Sequence, residues 1–503
     1  MMKKNLPLIG ALLLPSIIII IHLYQNNLNF WYDPARDLLA AWDNLSKPTL
    51  IGPTSGIPGV FYGPYWIWLL SLGLFFSKNP LLVTFVTATI PYLIILPLFW
   101  FRSTKLFDKT SLIIGWLLFM LSTGMTYATE LWNPYPAPLL TIVLFFFILV
   151  SHLETISRKS IITMFLAGFF LGLVINFHLS FGIALLLGII LFYFFDSIIA
   201  LIATKAKQKH ETFKTRLVYL VTIVSGLFVA FIPTLLFEAR HGFHQMQTLL
   251  ATFTKFGAVV AVKGLGKDAI FTEFLNSMGK LLHVPTFVAG AVFLVLLGLI
   301  FYKFYKNQTK NYQLDRVLLL SLSVLLGTAL IYFTAKNPIW TYHFIGVEIP
   351  CLFFIIYIAT KFSVLRKILV IWTGVVVILS LNSFWNTIHH KQTYFSQQQE
   401  IVKTIASDAN NADYTVYAYS PSIYIYEYSY LFRWLVNKNV PYDPGAIKQS
   451  SGIVYLILPP KKDALIMDFV HFRTPEAYYK NVKIWHTSGG VTIAKNEAIQ
   501  NKK

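Results

Sequence analysis

The chain has 503 residues with a net charge of +19, and 56% of them are hydrophobic while only 13% are charged. A soluble domain is charged at roughly a quarter of its positions, so this composition excludes a soluble protein and predicts an all-α polytopic membrane protein. The positive charge does not indicate nucleic-acid binding, because the lysines and arginines are concentrated in short loops between apolar runs, which is the pattern of a membrane orientation signal.

Placing the basic loops on the cytoplasmic side orders the apolar runs along the chain. The first run, Asn5–Tyr24, leads outward to an external loop at 25–60, and ten later runs alternate in direction. These later runs are Leu81–Phe101, Leu112–Tyr127, Leu139–Leu153, Ile161–Phe177, Leu179–Ala200, Leu217–Phe237, Val284–Tyr302, Val317–Thr334, Phe344–Thr360 and Ile368–Phe384. We therefore predict about eleven transmembrane helices, give or take about two.

One apolar run, Phe61–Phe76, does not fit this alternation. If it crossed the bilayer, every later basic loop would lie outside, against the orientation rule. We interpret it as re-entrant or interfacial, unless a neighbouring span is misjudged.

Two further external parts are predicted. Residues 238–283 form a long loop that contains a helix-like run at Met246–Phe256. The tail after the membrane domain of 1–386 is polar and rich in tyrosine, and it has no run that could span a bilayer. Its pattern predicts a small extracytoplasmic α/β domain at 387–503, with strands at Tyr414–Tyr419, Ile453–Leu458 and Val491–Lys495 and a helix at Gln397–Ser407.

The first external loop carries the most informative polar residues, Asp33, Arg36 and Asp37, at a membrane surface where charges are costly. Asp33 followed by Pro34 is typical of an N-cap and the first residue of a helix, and Arg36 has the spacing to pair with either carboxylate. A carboxylate in this position is also suited to accept a proton from a bound hydroxyl. From spacing alone, capping and catalysis both remain open for Asp33.

Two other positions fall at the outer ends of predicted spans. Glu130 opens a corner with the sequence Glu-Leu-Trp-Asn-Pro-Tyr, which is typical of a capped turn between helices. His178 ends another span, and a single histidine near a helix end is more often a packing residue than a ligand. Both are candidates for substrate binding beside that simpler interpretation.

External cations form the last group of candidates. Arg240 and His241 follow one predicted span, whereas Lys336 and His343 lie between two later ones. Such residues anchor a protein to lipid headgroups, or they bind the phosphate of a lipid-linked substrate.

The residues after the first span resemble a known family. Asp33-Pro34-Ala35-Arg36 is similar to the Asp-Glu-x-Arg motif of bacterial GT-C glycosyltransferases, the relatives of protein O-mannosyltransferases and of the lipid A aminoarabinose transferase grouped around glycosyltransferase family 39. Further short segments resemble later landmarks of a bacterial branch of these enzymes: 36–41, 51–53, 63–65, 132–134, 177–178, 237–243 and 419–424. Pro34 replaces the second acid of the motif, so Asp37 is the candidate for that role.

The resemblance implies a GT-C fold and an inverting sugar transfer from a polyprenyl-phosphate donor to an extracytoplasmic hydroxyl of a glycan, lipid or protein acceptor. Asp33 would be the catalytic base. The substrate-binding candidates are Arg36, Asp37, Glu130, His178, Arg240, His241, Lys336 and His343. No cofactor is expected, with a divalent metal left open.

The implied location is the plasma (inner) membrane, with the site and the tail extracytoplasmic. The alternatives are a polytopic transporter or lipid flippase, and a glycan polymerase or ligase. A carrier tends to place ionisable residues near mid-membrane in broken helices with inverted repeats. In this sequence the candidate residues gather instead in loops and at span ends.

Overall fold

A computed structural model of the chain describes residues 2–151, 157–203, 206–254, 264–306, 312–335, 338–388, 394–420, 424–443, 445, 452–460 and 464–499. The helices up to the end of the membrane domain are α1 Met2–Tyr24, α2 Tyr32–Asn44, α3 Tyr65–Phe76, α4 Pro80–Lys105, α5 Lys109–Thr129, α6 Pro136–Ser151, α7 Arg158–Phe177, α8 Leu179–Ala203, α9 Ala206–Arg240, α10 His244–Thr254, α11 Lys267–Leu282, α12 Thr286–Lys306, α13 Tyr312–Thr334, α14 Glu348–Lys361 and α15 Ser363–Ile388. The π-helical turns Phe85–Thr89, Pro91–Ile95 and Met120–Gly124 interrupt α4 and α5.

The predicted membrane character is confirmed. Nine helices of the described residues are long and apolar enough to cross a bilayer, and α11 with α12 pass the same test only as a pair bent by 87°. The remaining predicted span corresponds to α6, an apolar helix of 16 residues. Each of the eleven predicted runs therefore coincides with a helix, and the chain is a multi-pass membrane protein.

The leftover run forms α3, a helix of only 12 residues that is about 18 Å long. A bilayer core needs about 20 residues of helix, so α3 is too short to cross one by itself. Its Trp66, Leu70 and Leu74 are buried. The prediction that this run does not cross the membrane stays a prediction.

Ion pairs join the helix ends that carry the basic loops. Asp196 of α8 lies 2.7 Å from Arg216 of α9 and 3.2 Å from Arg316 of α13. Arg366 of α15 lies 3.0 Å from Asp108, which caps α5. Asp315, beside Arg316, lies 3.1 Å from Lys361, which ends α14 two residues before α15 begins. Together these contacts bring the ends of six helices to one end of the bundle. The loops that carry the candidate site residues follow or precede the opposite helix ends.

The described residues of the C-terminal part form four strands and three helices: α16 Tyr394–Ala409, β1 Thr415–Ala418, α17 Tyr426–Val436, β2 Ile453–Leu458, α18 Ala464–Arg473, β3 Tyr479–His486 and β4 Thr492–Ala498. The strand order is β1-β2-β4-β3, with β1 parallel to β2 and the other pairs antiparallel. The three predicted strands and the predicted helix are confirmed, whereas β3 was not predicted.

This C-terminal part packs directly on α2 and the segment before it. Arg433 of α17 pairs with Asp43 of α2 at 2.7 Å, and the rings of Tyr430 and Phe30 are in edge contact. The amide of Gln398 on α16 donates to the carbonyl of Phe30 at 3.1 Å. The C-terminal domain therefore lies at the end of the bundle that carries the first loop.

The segment 238–283, which the sequence predicts as a long external loop, contains a second helix besides the predicted helical run. The run Met246–Phe256 corresponds to α10, with Phe256 outside the described residues, but the segment also contains the 16-residue helix α11. Ile270, Met278 and Leu281 on α11 are buried. Because α11 buries this face against the bundle, it is part of the fold and not a free loop.

Candidate functional site

Helix α2 begins two residues earlier than its sequence suggests. Trp31 is the N-cap, its carbonyl accepts the amide of Ala35 at 3.1 Å, and no side chain caps the helix. The prediction that Asp33 is the N-cap is therefore wrong. Asp33 lies in the first turn, where the helix dipole favours a negative charge, and Pro34 occupies a position whose N–H has no partner in a helix.

Asp33, Arg36 and Asp37 form one ionic cluster on α2. The guanidinium of Arg36 lies 2.8 Å from the carboxylate of Asp33 and 2.7 Å from that of Asp37, and its Nε also donates to Asp37. The indole of Trp66 donates to the other oxygen of Asp37 at 2.8 Å. With two carboxylates around one guanidinium, the cluster carries a net charge of about −1 when both are ionised.

The two carboxylates differ in access. The Asp37 side chain is 1% exposed and its oxygens are held by Arg36 and Trp66, whereas the side chain of Asp33 is 20% exposed. Burial raises the pKa of Asp37 to about 6 and also raises the pKa of Asp33, in both cases against the opposing effect of Arg36. Asp33 is thus the carboxylate that a substrate can reach, and its raised pKa makes it a stronger proton acceptor than an ordinary aspartate.

The corner after α5 forms an aromatic wall beside Asp33. Trp132 donates a hydrogen bond to Asp33 and makes edge contacts with the rings of Trp31 and Tyr342, at centroid distances of 5.6 and 5.7 Å. Glu130 accepts hydrogen bonds from Asn29 and from the hydroxyl of Tyr135. The structure therefore brings Glu130 to the segment that leads into α2.

His178 and His343 lie behind this wall. The Nε2 of His178 is 3.1 Å from the carbonyl of Tyr342, so this nitrogen carries the proton, and burial lowers the pKa of His178 to about 3. The Nδ1 of His343 accepts the amide of Trp340 at 3.1 Å. The two rings have centroids 6.4 Å apart. His178 is neutral here and holds the 341–344 turn against the corner between α7 and α8.

The Gly- and Pro-rich segment of the first loop folds into a hairpin next to the site. Amide–carbonyl bonds join Gly52 to Tyr62 at 2.8 Å and Tyr62 to Pro53 at 2.9 Å. A side chain is excluded at Gly63, because its Cβ would lie 1.7 Å from the Asn176 amide oxygen. At the base of this hairpin, the hydroxyl of Tyr62 accepts a hydrogen bond from Asn133. The hairpin therefore places Tyr62 near Asp33.

Two of the external cations, Arg240 and His241, have no ion pair with this cluster in the described part of the chain. Arg240 and His241 are exposed at the end of α9, where the His241 ring stacks on Phe237 at 4.0 Å. The buried Glu238, two residues before Arg240, accepts a hydrogen bond from the side-chain amide of Gln245. The side-chain oxygen of Gln245 in turn accepts the backbone amide of Phe61 in the hairpin. Arg240 is thus linked to the hairpin, but among the described residues it has no ion pair with the α2 cluster. Lys336 lies outside the described residues.

Five aromatic residues around the ionic cluster of α2 were not among the predicted site residues: Tyr62, Trp66, Trp132, Tyr342 and Tyr426. They come from four separate segments of the chain, since Tyr62 and Trp66 are only four residues apart. The only sequence signal was their concentration in short external loops, which is equally typical of interfacial anchors.

Comparison with known proteins identifies the fold. No family model matches the chain, and no curated protein matches it. The structure is similar to ArnT from Cupriavidus metallidurans bound to undecaprenyl phosphate, with a TM-score of 0.60 at 10% identity over 98% of both chains. It is similar to the apo state of that protein with a TM-score of 0.56, at 10% identity over 98% of this chain and 97% of the other. The chain thus has the GT-C fold, which is the fold of the enzymes whose motif its first loop resembles.

Proposed function

We propose that this protein is an inverting membrane glycosyltransferase that moves a sugar from a polyprenyl-phosphate donor to an acceptor hydroxyl. The observation that carries the proposal is the partly exposed carboxylate of Asp33, held 2.8 Å from Arg36 in a chain with the fold of ArnT. The ArnT structure with undecaprenyl phosphate supports a lipid-phosphate donor of the same class.

The proposed reaction is a single displacement. Asp33 accepts the proton of the acceptor hydroxyl while the acceptor oxygen bonds to the anomeric carbon, and the bond from that carbon to the phosphate oxygen breaks. The departing group is the polyprenyl phosphate. One base is sufficient because no covalent sugar–enzyme intermediate forms. Asp37 is the second acid of the motif and acts on Arg36, which it binds through two contacts.

The departing phosphate needs positive charge or hydrogen-bond donors. Arg36 is already shared by two carboxylates, so a second cation is required. Arg240 is the preferred candidate because its forked guanidinium matches phosphate oxygens, with His241, Lys336 and His343 as further donors. The link from Glu238 through Gln245 to the hairpin supports this choice, since it attaches the segment that bears Arg240 to the hairpin that bears Tyr62.

The lipid tail of the donor would lie on the membrane-facing surface of the bundle. An open apolar groove of about 590 Å³ runs between α7 and α9, lined by Phe165, Leu220, Val224 and Phe228 among others. It ends at Val229. The carbonyl of the next residue, 230, accepts a hydrogen bond from the hydroxyl of Tyr65, the first residue of α3. The groove therefore ends beside α3, the helix whose Trp66 donates to Asp37.

A transfer assay separates the proposed enzyme from a carrier. We expect purified protein in proteoliposomes to move a radiolabelled sugar from a polyprenyl-phosphate sugar to an acceptor extract of the cell envelope. Thin-layer chromatography of the product measures the transfer. A flippase would instead move the labelled lipid between leaflets without changing it. Movement of intact donor without any transfer would refute the proposal.

The orientation of the site can be tested by thiol labelling. We propose that the α2 cluster and the C-terminal domain face outward, since the basic loops at the other end of the bundle predict a cytoplasmic location. In a Cys351→Ser background, an impermeant maleimide added to intact cells should label Asn439→Cys and leave Lys214→Cys unlabelled. Both native side chains are exposed in the structure.

Membrane disruption is the control for this experiment, because both cysteines should then be labelled. Labelling of Lys214→Cys alone in intact cells would reverse the orientation and place the site on the cytoplasmic side.

A further inference from the structure

Four tyrosines form a cluster between α2 and the C-terminal domain, which we call the tyrosine cluster: Tyr32, Tyr424, Tyr426 and Tyr442. The rings of Tyr32 and Tyr426 are in edge contact at 4.9 Å, and their hydroxyls are hydrogen-bonded. Tyr426 stacks on Tyr442 at 4.4 Å with 24° between the ring planes. Tyr424 lies 5.8 and 6.0 Å from these two rings.

Packing between the two domains explains only half of this cluster. Tyr32 and Tyr426 are partly buried where α2 meets α17. Tyr424 and Tyr442 are 37% and 45% exposed, respectively, so part of each ring faces solvent. Exposed large aromatics that adjoin one another at the edge of a candidate site are typical of a binding surface.

The cluster is adjacent to the ionic cluster of α2. Arg36 lies over the ring of Tyr32, 5.7 Å from its centroid, and its charge also acts on the hydroxyl of Tyr426. Tyr32 precedes Asp33 in the chain. Asp33 therefore has two groups of aromatic rings near it. One group is Trp132 and Tyr342 of the membrane domain, and the other is the tyrosine cluster.

We infer that the tyrosine cluster is a carbohydrate-binding subsite that holds a sugar ring of the acceptor. This inference rests on the proposed function in one respect, namely the assignment of the bound sugar to the acceptor. In an inverting displacement, the acceptor and the leaving group lie on opposite faces of the anomeric carbon. A lipid-linked donor reaches Asp33 from the membrane domain, so the C-terminal domain is the side that remains for the acceptor.

The chemistry of the cluster fits a sugar. A pyranose presents apolar C–H faces and polar hydroxyl edges, whereas tyrosine combines an apolar ring with a hydroxyl that donates and accepts hydrogen bonds. A purely apolar ligand would favour aliphatic side chains or phenylalanine in place of four hydroxyl-bearing rings. The cluster thus favours a glycan acceptor over an acyl chain.

Saturation-transfer difference NMR tests this inference without any donor. The full-length protein is reconstituted in phosphatidylcholine nanodiscs, because maltoside detergents would compete with the ligand. The probes are methyl α-D-mannopyranoside, methyl β-D-glucopyranoside and N-acetylglucosamine. We expect saturation transfer to the ring protons of at least one probe, and about tenfold weaker binding in the Tyr424→Ala/Tyr442→Ala variant.

Two controls define the role of the rings. Tyr478→Ala removes another exposed tyrosine of the C-terminal domain, at 66% exposure, and should bind the probe like the wild type. Tyr424→Phe/Tyr442→Phe keeps the ring faces and should retain most of the binding. No saturation transfer in the wild type, or equal binding by the wild type and the alanine pair, would overturn the inference.

The result is distinguishable from a failure of the proposed function. Glycoside binding that depends on the tyrosine cluster, together with absence of sugar transfer, would leave the subsite and remove the transferase. Normal sugar transfer by a protein that binds no glycoside would leave the transferase and remove the subsite.

Discussion

Asp33→Asn is expected to lower kcat for sugar transfer by about 10²–10⁴-fold, because the amide cannot accept the proton of the acceptor hydroxyl. The fold should persist. Asp33 caps no helix, and the asparagine that replaces it still has an oxygen that can accept the hydrogen bond from Trp132. Arg36 also retains its contacts with Asp37, so the ionic cluster becomes neutral instead of negative. Initial rates in proteoliposomes at saturating donor, together with the thermal unfolding temperature, give the measurement.

Asp43→Asn is the matched control for this substitution. Asp43 lies on the same helix, ten residues later, and also pairs with an arginine, Arg433, at 2.7 Å. Its side chain is 67% exposed and it lies at the other end of α2 from the cluster. We expect wild-type turnover from this variant. Wild-type turnover by the Asp33→Asn variant as well would eliminate Asp33 as the base.

Arg36→Ala is expected to reduce both stability and activity. It leaves the buried carboxylate of Asp37 with the indole of Trp66 as its remaining partner, and breaking a buried ion pair in this way costs about 3–5 kcal/mol. Protonation of Asp37 offsets part of that cost, since its pKa is already raised to about 6 by burial. The thermal unfolding temperature should therefore fall more than in the Asp33→Asn variant. This fall should be smallest at acidic pH, where Asp37 is protonated.

The double variant Arg36→Ala/Asp37→Asn separates the two effects. A neutral asparagine needs no counter-charge and can still accept the Trp66 hydrogen bond, so stability should recover most of its loss. Sugar transfer should remain slow, because the guanidinium beside Asp33 is still missing. Recovery of transfer along with stability would mean that Arg36 serves only to neutralise Asp37.

The access of the two carboxylates explains why one residue type serves two purposes in the cluster. Asp37 is enclosed by Arg36 and Trp66, and this enclosure fixes the guanidinium in place. Asp33 keeps part of its surface in contact with solvent. A single helical turn thus supplies a reactive carboxylate and a second carboxylate that positions its cationic neighbour, in agreement with the proposal that Asp37 takes the role of the second acid.

The membrane-spanning helices could be predicted because the requirement for a span is local. A run of apolar residues must match the thickness of the bilayer core wherever it lies in the chain. The predicted span Leu179–Ala200, for example, differs from α8 by three residues at one end. The strand β2 coincides with its prediction for a similar reason, since a buried strand is a continuous apolar run.

Elements whose stability comes from their neighbours were missed. The strand β3 is almost entirely exposed and contains two lysines, so its sequence has no apolar alternation, and its pairing with β4 is what makes it a strand. The start of α2 was misplaced for a related reason. Asp33 has the local chemistry of an N-cap, but its side chain is bound by Arg36 and by the distant Trp132.

The sequence by itself determined the membrane class, the ends of most spans, the α/β character of the tail and the grouping of Asp33, Arg36 and Asp37. This grouping follows from helical spacing, because residues three and four positions apart share a face. Only the tertiary structure decided which carboxylate is enclosed and which aromatic rings surround the other. Trp132 and Tyr426 reach this site from segments about 100 and 390 residues away in the chain, and no local periodicity encodes a contact of that kind.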